Sequence, residues 1–148
     1  MLIDHHFADR SRLSTARTMP VPFTGAIAAA CTAPMPAGVQ LESRWSRDAT
    51  GPFGRSDLAP ARAQGTLVVG RRTIAAEFEL APWSDQVTEL TIRPAVRAPH
   101  RWSARRRRRW YSAAHAAADA LRQRLVLAQP APRRRPRTRA PAAHRLAG

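Results

Sequence analysis

Lysine is absent from this chain: all 25 basic residues are arginine, set against 10 acidic ones. Cysteine occurs once, at Cys31, which excludes an intramolecular disulfide framework and a metal site built on several thiolates. Such usage suits a reducing compartment, so a cytoplasmic location is the expectation. No apolar run reaches the roughly 20 residues that a membrane-spanning helix needs. The patterns of catalysis are missing too: no nucleophile–base pair, no Gly-rich phosphate loop and no paired carboxylates. A non-enzymatic domain without cofactor or metal is expected.

What is present is positive charge, unevenly spread. Residues 39–94 carry as many acids as arginines, whereas residues 95–128 hold nine arginines and one acid. Residues 129–148 add six arginines and no acid. A patch of this kind points to an anionic partner: nucleic acid, an acidic protein or an anionic membrane surface. The plain alternative is that Arg, Ala and Pro together record GC-rich coding.

The clearest structural statement is made by Trp102 to Ala128. Trp110, Ala114, Ala117, Leu121 and Leu125 fall on one stripe, opposite Ser112, His115, Asp119, Arg122 and Gln123. That spacing predicts an amphipathic helix. Ser103 is its expected N-cap, and Pro130 and Pro132 stop it. About 25 helical residues span roughly 38 Å, and a stripe that long needs a surface to lie on.

The region before it supplies that surface. Val39–Ser46 alternates, with Val39, Leu41 and Trp45 on one side. Thr66–Val69 is β-branched, and Gly70-Arg71-Arg72 reads as a tight turn. Thr73–Leu80 places Ile74, Ala76, Phe78 and Leu80 inward, and Gln86–Arg93 does the same with Leu90 and Ile92. Residues 47–65 read as a long loop, and Ala81–Asp85 as a hairpin loop with Trp83 as an anchor. The expected fold is α+β, an antiparallel meander of about four strands packed against one long C-terminal helix.

Three segments follow. Residues 1–38 read as a poorly structured leader, because Pro20, Pro22 and Gly25 interrupt a weakly apolar, faintly signal-like stretch. Residues 39–128 form the sheet-plus-helix domain, and the leader is expected to be dispensable for its folding. Residues 129–148, rich in Arg and Pro, read as a disordered tail. A core this small is one that a second copy would help complete, hence a possible homo-oligomer.

The element order, a meander followed by one long helix, resembles the C-terminal half of the helix-grip fold, the Bet v 1-like or START-like family. The stretch GTLVVGRRTIAAEFELAPWSDQVTEL is also similar to small proteins of high-GC bacteria. The resemblance covers residues 39–128 and implies a small hydrophobic ligand held between sheet and helix. It departs from that family in having no room for two short helices after the first strand or for a seven-strand sheet.

The sharpest chemical feature is the run Arg105, Arg106, Arg107, Arg108 and Arg109. At 100° per residue the five spread around the whole helix. They also crowd a helix N-terminus that is already positive. Glu77, Glu79 or Glu89 from the sheet would compensate them internally; a phosphate would do so externally. With Arg133, Arg134, Arg135, Arg137 and Arg139 of the tail they make the candidate site for nucleic acid or another polyanion. Trp102 is read as the freer ring, available for stacking on a base, and Trp110 as core. His115 and Asp119 stand at i, i+4, but no further ligand completes a metal site, so a surface hydrogen bond is the expectation. The competing readings are a helix-grip protein with a small hydrophobic ligand and a structural, self-associating subunit.

Overall fold

The computed structural model describes residues 13–47 and 59–130. Its frame is a hairpin, β4 (Ala61–Val69) and β5 (Arg72–Ser84), in register from Ala61↔Leu80 to Val69↔Arg72. The two-residue turn Gly70-Arg71 closes it, with Gly70 at φ +64°. Such turns require positive φ at their first position, which glycine adopts at little cost. A second tight turn, Asp85-Gln86, leads into β6 (Val87–Pro94). The meander therefore forms, and the alternation delivers its inner face: Phe78, Leu80, Leu90 and Ile92 are fully buried.

The sheet is wider than a meander. Its order is β1-β6-β5-β4-β2, wholly antiparallel, where β1 is Thr15–Met19 and β2 is Val39–Leu41. The two-residue β3 (Ser46–Arg47) also pairs with β4. Between β1 and β2 runs the helix α1, Phe23–Thr32. A single turn of 3₁₀ helix, Pro99–Arg101, then leads to α2, Ala104–Leu127.

The expected leader is thus corrected over residues 13–38. Leu13, Met19, Val21, Phe23, Ala26 and Ala30 belong to the hydrophobic core, and β1 pairs with β6 from Thr15↔Ile92 to Met19↔Thr88. Burial of these side chains supplies the ordering free energy that composition alone does not advertise. Thr88 secures the join by donating from Oγ1 to the Val21 carbonyl at 2.7 Å in the buried interior.

Two further boundaries move. β4 begins at Ala61, inside the expected 47–65 loop, because Ala61 and Ala63 face the core while Arg62 and Gln64 face out. The rest of that loop, residues 48–58, lies outside the described residues, as does the expected tail from residue 131 onward. The β5 strand also runs through Pro82 to Ser84 instead of looping at Ala81. A register shift between Pro82 and Ser84 accommodates the missing amide of proline, leaving Trp83 66% exposed. Conversely, Val39–Ser46 does not hold as one strand. After Leu41 the chain turns aside, and the Glu42 and Ser43 amides both donate to the Gln64 carbonyl.

The long helix matches its stripe. Trp110, Ala114, Ala117, Leu121 and Leu125 are all buried on the sheet's inner face, and Ser103 caps the helix by accepting from the Arg106 amide at 3.2 Å. No described helix is long and apolar enough to cross a membrane.

Candidate anion-binding site

The geometry of the site begins at the β4–β5 turn. Because Gly70 takes the turn's positive φ, Arg71 and Arg72 project from the hairpin's tip as exposed side chains. The β6 strand runs back to the same end of the sheet, since Pro94 pairs with Ala76 and the Ala95 amide donates to Ala75. The crossing segment, with Arg97 and Arg101, and the first turns of α2 follow there. Turn and helix enclose a cleft of about 950 Å³ whose rim carries Arg71, Arg72, Arg105, Arg106 and Arg109. Val69, Ile74, Ala113 and Ala116 add aliphatic groups to its lining.

The five helical arginines divide as the helical pitch dictates. Arg105, Arg106 and Arg109 reach the cleft, while Arg108 stands in solvent and is not among its lining residues. Arg107 folds back, donating from Nη2 to the His100 carbonyl and holding the crossing segment against the helix. Its Nε is buried without a partner.

The expected internal compensation is not there. Glu77 and Glu79 alternate with the buried residues of β5 and so lie on the sheet's other face. There Arg62 Nε meets Glu79 at 2.9 Å, and Arg93 lies 3.4 Å from Glu79 and 3.7 Å from Glu77. Among the described residues no carboxylate is within ion-pair distance of Arg105–Arg109, Arg71 or Arg72, and Glu89 is not one of their partners. Among the described residues, five arginines thus line one cleft beside a helix N-terminus with no carboxylate within ion-pair distance.

Trp102 is not a free ring. It is only 9% exposed and packs edge-on against Trp110 with ring centroids 5.8 Å apart. Arg106 covers it from 4.9 Å above the ring, a cation–π contact. Trp102 belongs to the hydrophobic core, so little of its ring is open to a base. Trp110 is core, as expected, and its Nε1 donates to the Leu13 carbonyl at 2.8 Å.

His115 and Asp119 do share a partner, and it is a cation. Arg17 of β1 places Nε 2.8 Å from Asp119 Oδ1 and Nη2 2.7 Å from His115 Nδ1. One nitrogen of His115 and one oxygen of Asp119 are therefore engaged by the guanidinium, and among the described residues no cluster of His, Cys, Asp or Glu is disposed to hold a metal. Arg122 donates to the Thr18 carbonyl and Arg124 to the Pro34 carbonyl. Hence the arginines of the helix's later turns tie α2 to β1 and to the segment after α1. Of those in its first turns, Arg105, Arg106 and Arg109 line the cleft.

Sequence reasoning missed Arg71 and Arg72 as site residues. The available signal was two arginines in a tight turn, but their meeting with the helix start depends on tertiary structure. The space between α2 and the sheet, where a helix-grip ligand would sit, is packed with Trp110, Phe78, Leu80, Leu90, Ile92, Leu121 and Leu125, all fully buried. The tail arginines Arg133, Arg134, Arg135, Arg137 and Arg139 lie outside the described residues. No family model, no curated protein and no solved structure matches this chain.

Proposed function

We propose that the protein binds a phosphate-rich polyanion, nucleic acid without sequence preference, through the arginine-rimmed end of the domain. One observation carries this reading. Arginines from two elements distant in sequence line one cleft and, among the described residues, no carboxylate lies within ion-pair distance of them. A solvated surface built only by coding bias would scatter its arginines among its acids, as happens on the outer face of the sheet. Guanidinium forks match phosphate oxygens in pairs, and the adjoining helix N-terminus favours anions. The tail arginines add cations by sequence alone.

Contacts of this kind position a backbone and do not read bases. The described α2 has no polar base-reading side chains set between its first arginines, so affinity is expected to vary little with sequence. The test is a titration of the full-length protein with unrelated single strands and duplexes at physiological salt. Dissociation constants between about 10⁻⁶ and 10⁻⁴ M for all of them support the reading. Absence of any complex tighter than about 10⁻⁴ M contradicts it.

A further inference from the structure

A second concavity, of about 660 Å³, adjoins the arginine cleft along the flank of α2. Ala113 and Ala116 line both, so the two form one groove with unlike ends. The second half runs past Leu67, Val68 and Ala120 to Leu127. Its one cation, Arg124, already donates to the Pro34 carbonyl at 3.1 Å. Val68 and Leu127 stand 47% and 74% exposed at its margin. A polyanion occupying the first half gains little from the second, whose single cation is Arg124.

We propose that this groove takes a single-chain anionic amphiphile, with its head among Arg71, Arg72, Arg105 and Arg109 and its chain laid along Ala113, Ala116 and Ala120 toward Leu127. Charge complementarity sets the direction, since five arginines line the first half and Arg124 alone the second. From Arg109 to Ala120 the helix advances about 16 Å, which an extended medium-length alkyl chain spans. The chain would cover exposed aliphatic surface, the usual source of affinity in such sites. The head would occupy arginines assigned above to the polyanion, so the amphiphile would displace nucleic acid. That last consequence rests on the polyanion reading; the amphiphile site does not.

The experiment is calorimetric titration of the full-length protein with dodecyl phosphate below its micellar concentration. Inorganic phosphate, dodecyl maltoside and dodecyltrimethylammonium supply the head alone, the chain on a neutral head and the chain on a cationic head. Dodecyl phosphate is expected to bind on the order of tenfold more tightly than each of the three. Ala120→Trp, which fills the second half, and Ala120→Glu, which places a negative charge where the chain ends, should each remove that advantage and leave phosphate binding unchanged. Arg71→Gln with Arg109→Gln should weaken dodecyl phosphate and inorganic phosphate alike. Equal affinity for phosphate and dodecyl phosphate overturns the proposal. So does an undiminished advantage in Ala120→Glu, a half-buried helix position outside the hydrophobic core. Nucleic acid added to the same samples separates the two readings. Amphiphile binding without any nucleic-acid complex upholds the groove and removes the polyanion function, and the reverse result removes the groove alone.

Discussion

Gly65 shows how single residues set this architecture. A Cβ placed there would lie 2.3 Å from the Gln40 carbonyl oxygen of the neighbouring strand. Backbone cannot yield as a side chain would, so Gly65→Ala is expected to push β2 from β4 and destabilise the fold by about 1–3 kcal/mol, read from denaturant midpoints. Trp110 is the costliest side chain to lose. Fully buried, it also donates to the Leu13 carbonyl, so Trp110→Ala should cost about 3–5 kcal/mol. By contrast, Gln123→Ala, on the exposed face, should cost less than about 0.5 kcal/mol. The bridge from Arg17 to Asp119, with side chains 30% and 64% exposed, belongs with the weak group. Equal losses at Trp110 and Gln123 would mean that the helix faces another way.

The elements differ in how much of themselves they declare. The α2 stripe and the inward residues of β5 and β6 were legible because large apolar side chains recur there at clean periods. The β1 strand and α1 were not, for reasons their residues show. The five residues of β1 include two threonines and an arginine, and α1 packs through Phe23 and a series of alanines. Alanine scores weakly in any hydrophobic pattern, yet it allows α1 close approach to the core. Ala61 and Ala63 hid the start of β4 in the same way. Removal of residues 1–34 would strip an edge from β6 and take away the acceptor for Trp110 Nε1. The truncated chain is therefore expected to lose cooperative thermal unfolding altogether. A sharp transition near the full-length midpoint would show β1 and α1 to be dispensable.

At the scale of the whole molecule, the decisive feature is electrical polarity. The sheet's outer face balances Arg62 and Arg93 against Glu77 and Glu79, and the later turns of α2 spend their arginines on β1 and its neighbours. Among the described residues, arginines without an ion-pair partner gather at the end that joins the β4–β5 turn to the start of α2. Half of that site was legible, as Arg105–Arg109; the turn half appears only when the sheet folds. The central claim is that the two halves act as one site, and the salt dependence of nucleic-acid binding tests it most directly. Each phosphate contact contributes a slope of about −0.9 in log K against log salt on duplex DNA. Arg71→Gln with Arg72→Gln should therefore flatten the wild-type slope by about 2, two contacts' worth, although neither residue lies in the Arg105–Arg109 run. An unchanged slope in that double variant would contradict the claim and leave the turn outside the site.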